Sequence, residues 1–265
     1  EKIRKGIDLG SGVEFDVRTV KEHRAMVLFR AEGLSEAIKD TDPQAVGKKP
    51  LKPEALGAEG TQTAALVDKC IEQIGSILSD ERNANFVLLR GFAKSRSFES
   101  FEERYGLRAC AIANYPMYRG VAKLLGMDLH PIVKDVKAQF EALSSLYKDY
   151  DFFFFHVKAT DSRGEDGDFE GKVKVIEEVD SLLPPAVELE PHVLAVTGDH
   201  STPSVMKSHS WHPVPVLLHG ATCRADDVDR FGEQACLRGG LGRMPMVKLM
   251  PLILAHAGRL QKFGA

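Results

Sequence analysis

Val193-Leu194-Ala195-Val196-Thr197-Gly198-Asp199-His200 is an apolar run that delivers an acid–imidazole pair into a loop. The chain returns with His209-Ser210-Trp211-His212-Pro213 before a second apolar run at 214–218. A strand that ends in Asp-His, with further imidazoles arriving from the next connection, suits a divalent metal on an α/β sheet. Carboxylate oxygen and imidazole nitrogen are ligands for Zn or Mn. In open α/β sheets such sites form beyond the carboxyl ends of the strands.

Working outward, Phe152-Phe153-Phe154-Phe155-His156-Val157-Lys158 reads as a strand buried on both faces, as central parallel strands are. It runs into a polar loop, 161–168, and then a helix at 169–183 stopped by Pro184-Pro185. Upstream, 109–113 is a buried strand, 117–125 a helix closed by Gly126, and 131–147 an amphipathic helix. A further helix is predicted near 245–258. Strands alternating with helices predict an α/β domain with a mostly parallel sheet flanked by helices. The first part of the chain is more loop-rich. It offers strands at 13–20 and 25–30, an exposed loop at 40–53, and a helical stripe at 61–78. A short buried strand is read at 86–89. The change in character places a domain boundary near 105, giving domains 1–105 and 106–265.

Asp161 and Glu165 lie four residues apart after the Phe-rich strand, Asp199 and His200 after the next, and His209 and His212 before the one after that. Three carboxylates and three imidazoles therefore reach one crevice, a mixture that favours two Mn, Zn or Mg ions over a soft-metal site. Two such ions can clamp a phosphoryl group and activate a nucleophile. Taken singly, Asp and Gly at strand ends are ordinary turn and cap residues, and His212 can simply line its loop. The pattern gains its meaning from falling after successive strands. A second theme is cationic: Arg90, Lys94, Arg96, Arg104 and Arg119. Arginine forks grip phosphate and carboxylate. Arg90, at a strand end, and Arg119, in the first turns of a helix, are the better placed; Arg96 and Arg104 read as solvated surface. His23-Arg24 precedes a strand, and Trp211 reads as packing for the metal loop.

The chain of 265 residues has net charge −3, which makes no case for nucleic acid or membrane as the main partner. Its four cysteines lie far apart and predict buried or half-buried thiols in a cytoplasmic protein. No Gly-rich phosphate loop, nucleophile elbow or Cys/His nucleophile pair occurs.

Three segments together resemble the archaeal type of 2,3-bisphosphoglycerate-independent phosphoglycerate mutase, of the alkaline phosphatase superfamily. They are His156-Val157-Lys158 through Asp161-Ser162-Arg163-Gly164-Glu165-Asp166-Gly167, Thr197-Gly198-Asp199-His200-Ser201-Thr202-Pro203, and His209-Ser210-Trp211-His212-Pro213-Val214-Pro215. Asp40-Thr41-Asp42-Pro43, Leu89-Arg90-Gly91-Phe92 and Asn114-Tyr115-Pro116-Met117-Tyr118-Arg119 fit the same resemblance.

The resemblance implies an alkaline phosphatase-like α/β fold with part of a smaller α+β inserted domain that closes over substrate. It implies an isomerase of glycolysis and gluconeogenesis that interconverts 3-phosphoglycerate and 2-phosphoglycerate through a phosphoserine, supported by two divalent ions, manganese among them. Asp161, Glu165 and His209 would hold one ion, and Asp199 with His200 the other. Arg90 and Arg119 would grip substrate, with His23 and Arg24 belonging to the closing domain. Many relatives carry His where Glu165 stands, which bears on metal choice. The family's opening strand, with its metal-binding Asp and later nucleophilic Ser, has no counterpart here. The chain is therefore expected to match the C-terminal two-thirds of the enzyme and to be inactive alone, and no serine is assigned as nucleophile. A metal-dependent phosphohydrolase of the same superfamily and a non-catalytic metal-binding protein are the alternatives.

Overall fold

The computed structural model describes residues 1–21 and 23–260, and the chain divides into two compact units, Glu1–Arg96 and Ser97–Ala265.

In the first unit, a short helix α1 (Lys2–Gly6) precedes an antiparallel hairpin of β1 (Glu14–Lys21) and β2 (Arg24–Arg30), followed by helix α2 (Thr61–Ile77). The apolar stripe of α2 buries Val67, Cys70, Ile71 and Ile74, and Phe15 and Phe29 of the hairpin pack with it. Burial pushes the Cys70 thiol up to about 11, so it behaves as a small core hydrophobe. Two expectations are corrected here. Segment 86–89 is not a strand, and Phe86 and Leu88 are each 46% exposed. Leu89 exchanges hydrogen bonds with Thr41, whose own side chain is fully buried, and Asp40 accepts from the Gly91 N–H, so the 40–53 loop is tied down rather than fully exposed.

The second unit begins with α3 (Phe101–Tyr105), set by a capping box between Ser100 and Glu103. Then come β3 (Ala109–Ala113), α4 (Pro116–Leu124), the two-residue β4 (Asp128–Leu129), α5 (Val136–Leu146) and β5 (Phe152–His156). Pro116 opens α4 at a position where its missing N–H is not needed. Helix α5 starts later than the hydrophobic pattern suggests because Asp135 caps it, accepting from the Ala138 N–H at 2.8 Å.

These strands form a parallel sheet in the order β4-β3-β5. The centre, Ala-Cys-Ala-Ile-Ala, is buried throughout. The period-two alternation of a strand sorts its neighbours: Ala109 and Ala111 share a cluster with Phe101, Ala122, Phe152 and Phe154, while Cys110 and Ile112 pack with Ala142, Phe153 and Phe155. Small side chains on β3 let helices approach, and the phenylalanines of β5 fill the remaining space. Each buried ring stabilises by roughly 1.5–3 kcal/mol. Strand β5 is nonetheless half-buried and pairs with β3 alone among the described strands, rather than lying centrally.

After β5 the chain does not form the expected loop. It enters α6 (Ala159–Asp166) at once, turns at Gly167 with φ 75°, and continues as α7 (Phe169–Leu182), capped by the Asp168 side chain on the Gly171 N–H. A turn with positive φ is the natural place for glycine. Pro184 does not only stop α7; it opens a further short helix, α8 (Pro184–Glu188). Strand β6 (Val193–Thr197) then pairs with β7 (Val216–Gly220), which starts two residues later than its apolar run. That pair is antiparallel, which the apolar runs alone do not reveal. Helices α9 (Glu233–Cys236) and α10 (Leu249–His256) complete the described chain. No helix among the described residues is long and apolar enough to cross a membrane.

Candidate metal centre

Helix α6 decides the first half of the site. Asp161 and Glu165 are four residues apart on a helix and so lie on one face. The second half comes from the loop between β6 and β7. That loop is folded back on itself by an isolated bridge between Ser201 and Ser210, which brings His209 alongside His200. Their rings stack with centroids 3.8 Å apart.

The two halves meet. Asp161, His200 and His209 present ligand atoms that all lie within 4.8 Å of one another. Asp161 Oδ1 is 3.5 Å from His209 Nε2 and 3.7 Å from His200 Nδ1. Glu165 Oε1 is 3.5 Å from the same His209 Nε2, and Asp199 Oδ2 is 3.3 Å from His200 Nε2. All five residues singled out as ligands thus belong to one connected cluster. Three carboxylates share it, and the cation beside them is Lys158, whose ammonium lies against Asp161 Oδ2 and 3.8 Å from Glu165 Oε2. Asp161 Oδ2 is buried and faces the Lys158 ammonium, so its charge is partly offset within the chain. The mixture of carboxylate oxygen and imidazole nitrogen fits a divalent ion of the Mn, Zn or Mg class.

The scaffold beneath is polar and well tied. Gln139, buried, donates to the carbonyls of Ile112 and His156 and so joins the carboxyl ends of β3 and β5. Arg119 donates through Nη1 to the carbonyls of Ala113 (2.9 Å) and His130 (2.6 Å), so part of its guanidinium is committed to the backbone at the end of β3. His156 packs against Tyr118 with ring centroids 4.1 Å apart and the rings tilted by 37°. Burial, then the charges of Lys158 and His200, hold His156 down to about 4, so its imidazole is neutral near pH 7.

Other expected residues lie elsewhere. His212 is outside the cluster: its Nδ1 is 2.9 Å from Ser210 Oγ. Trp211 stacks on His212 but is 81% exposed, so it does not pack the metal loop. Arg90, His23 and Arg24 belong to the first unit. Arg90 lies 3.7 Å from Asp42, and His23 and Arg24 are exposed at the hairpin turn. Arg96 pairs with Glu36 and Arg104 with Glu99, as surface charges do. Three residues beside the ligands escaped the reading of ligand types. They are Lys158; Lys172, which donates to the Thr202 carbonyl at 2.7 Å; and Thr202, whose side chain lies between Asp161 and His200. Lys158 and Thr202 stand inside the segments that carry the resemblance, which was their only signal.

A family model described as the metalloenzyme superfamily matches residues 24–256. The chain belongs to the metalloenzyme superfamily. Divalent metal binding follows from that membership. Among similar proteins, one from Thermus thermophilus is 48% identical over 267 residues, spanning 100% of this chain and 66% of that protein. One from Aquifex aeolicus is 46% identical over 269 residues, with the same coverage. Both are named probable 2,3-bisphosphoglycerate-independent phosphoglycerate mutase. This metalloenzyme chain therefore spans just under two thirds of the length of the curated relatives it matches. Among solved structures, PH0037 protein from Pyrococcus horikoshii has a TM-score of 0.61 and 35% identity, over 63% of this chain and 54% of that one. A cofactor-independent phosphoglycerate mutase from Thermoplasma acidophilum has a TM-score of 0.70 over 97% of this chain and 69% of that one. At 24% identity that is a likeness of fold, and it bears out the α/β architecture of parallel strands and flanking helices.

Proposed function

We propose that the protein is a metal-dependent, cofactor-independent phosphoglycerate mutase, interconverting 3-phosphoglycerate and 2-phosphoglycerate in glycolysis and gluconeogenesis. The observation that carries the reading is the convergence of Asp161, His200 and His209 on one point, with Glu165 and Asp199 flanking them. The names of the Thermus and Aquifex relatives support the substrate class, a small phosphorylated three-carbon acid.

In this reading Asp161, Glu165 and His209 hold one divalent ion, and Asp199 and His200 hold a second. When bound, the ions supply positive charge that stabilises a transferring phosphoryl group. Manganese, magnesium and zinc all suit the donor set. The chain's own residues have separate tasks. Asp161 and Glu165 are held at fixed spacing by α6. Lys158 offsets part of the carboxylate charge and stands ready to pair with a phosphoryl oxygen. His156 stays neutral beside it and adds no competing charge. The free face of the Arg119 guanidinium, beyond its two backbone contacts, grips substrate anion, while Arg90, His23 and Arg24 give the first unit its anion-binding character as the substrate-closing module. No serine of this chain is assigned as the phosphoryl acceptor.

An enolase-coupled assay of the protein from its full reading frame tests the reading. Turnover of 3-phosphoglycerate with Mn, abolished by a chelator and restored by the ion, is the expected result. Metal-dependent hydrolysis of p-nitrophenyl phosphate with no mutase turnover would replace it with a phosphohydrolase.

A further inference from the structure

We infer that Thr202 is the positioning residue of the metal centre: its hydroxyl fixes the tautomer of His200 and so decides which nitrogen that histidine offers to metal. The inference rests on the metal-centre reading of Asp161, Asp199, His200 and His209.

Thr202 is 4% exposed, and its hydroxyl is wedged between two groups. It donates to Asp161 Oδ1 in a short hydrogen bond and lies 3.0 Å from His200 Nδ1. A hydroxyl has one proton, and an ionised carboxylate can only accept. With that proton spent on Asp161, the oxygen can only accept from His200, which places the imidazole proton on Nδ1. Nε2 is then the bare nitrogen. It faces Asp199 Oδ2 at 3.3 Å, while Asp199 Oδ1 is occupied by the backbone N–H of His200 at 3.0 Å. Nε2 and Oδ2 thus form a two-donor pair on one side of the hydroxyl. Asp161 Oδ1, His209 Nε2 and Glu165 Oε1 form the other set, linked by two contacts of 3.5 Å.

Three further contacts hold Thr202 where this role requires. Lys172 of α7 donates to its carbonyl at 2.7 Å. Gly164 of α6 leaves no room: a Cβ there would stand 2.3 Å from the Thr202 carbonyl oxygen and 2.9 Å from its Cγ2. The bridge between Ser201 and Ser210 fixes the preceding residue. Outer partners that orient ligating histidines commonly set metal affinity by about 10–100-fold.

The test uses protein labelled with 15N-histidine and stripped of metal. Two-bond 1H–15N correlation spectra report the tautomer, and loss of a signal in His200→Gln assigns it. The expected wild-type result is an Nδ1–H His200. Thr202→Val, of the same shape, is expected to release His200 to the Nε2–H form and to weaken Mn2+ binding about 10–100-fold by calorimetry. Thr202→Ser should retain both properties. A metal-binding wild type with an Nε2–H His200, or a Thr202→Val protein with unchanged Mn2+ affinity and stoichiometry, overturns the role of Thr202 alone. A wild type that binds no divalent ion overturns the metal-centre reading beneath it. The wild-type spectrum needs no variant, so poor folding of Thr202→Val leaves the tautomer test in force.

Discussion

The connection after β5 and the connection after β6 carry the same kind of chemistry on different supports. Asp161 and Glu165 ride on α6, whose backbone hydrogen bonds fix their spacing before any side chain takes part. Asp199, His200 and His209 ride on an irregular loop with no such ladder, and their placement depends on individual contacts: the Thr202 wedge, the Lys172 clamp and the backbone bridge between Ser201 and Ser210. Helix-borne ligands are therefore placed by local structure and loop-borne ligands by tertiary contacts. Substitutions in the supports should injure the loop-borne set selectively.

The largest effect should come from the residue both halves share. Asp161→Ala removes the ligand and the acceptor of the Thr202 hydroxyl together, and Mn2+ affinity should fall by more than about 100-fold, beyond what loss of an outer partner causes. Calorimetry checks it, and a drop of only a few fold would show that the loop holds metal without α6. Gly164→Ala comes next. Alanine normally favours a helix interior by about 1 kcal/mol, but here its Cβ meets a backbone carbonyl at 2.3 Å, which no rotamer change relieves. Overpacking of about 1–3 kcal/mol should win, lowering Tm. A raised Tm would show that the loop yields freely and that the contrast between the two supports is weaker than the contacts imply.

Lys172→Met removes the clamp and keeps the apolar stem. Losing one partly buried hydrogen bond is worth about 1 kcal/mol, hence about a fivefold loss of Mn2+ affinity, with His209 and Asp161 left in place. An unchanged affinity would leave the bridge and the hydroxyl as the loop's only supports.

A comparable effect lies at the root of α6. His156 titrates in the unfolded chain near 6.5 and in the folded protein near 4, chiefly because it is buried. Between those values the unfolded state binds the extra proton, so this histidine lowers stability as pH falls from about 6.5 to about 4. His156→Phe should remove that component. Denaturation of the two proteins at pH 7.5 and pH 4.5 should show wild type losing about 1–2 kcal/mol relative to the variant, below the full linkage value because the ring is only half-buried. Parallel pH profiles would show that the imidazole is not held neutral.

Much of the second unit was legible because its pattern is local. The Ala109–Ala113 and Phe152–His156 strands announce themselves by apolar runs, α4 by the Gly past its end and α5 by its amphipathic stripe. The misreadings share one cause. Segment 86–89 is as apolar as a strand, yet no neighbour supplies a ladder and it remains irregular. Residues 161–168 look like a polar loop, yet most of them lie in α6 (Ala159–Asp166), because a helix with an exposed polar face needs only one side against the protein. The apolar runs of β6 and β7 do not encode the direction of their pairing.

The sequence by itself supplied the candidates for the site. Asp161, Glu165, Asp199, His200, His209 and His212 stood out because ligand chemistry depends on residue type and on position after a strand, and both are written in one dimension. Only the tertiary structure decided their arrangement. It brought the helix-borne pair to the loop-borne trio, left His212 and Trp211 outside, and turned Arg119 partly onto the backbone. It also set a threonine hydroxyl between an acid and an imidazole that stand 39 residues apart in the chain, 161 to 200. A hydrogen bond acts over about 3 Å, and no spacing along the sequence reports which distant groups the packing will bring that close.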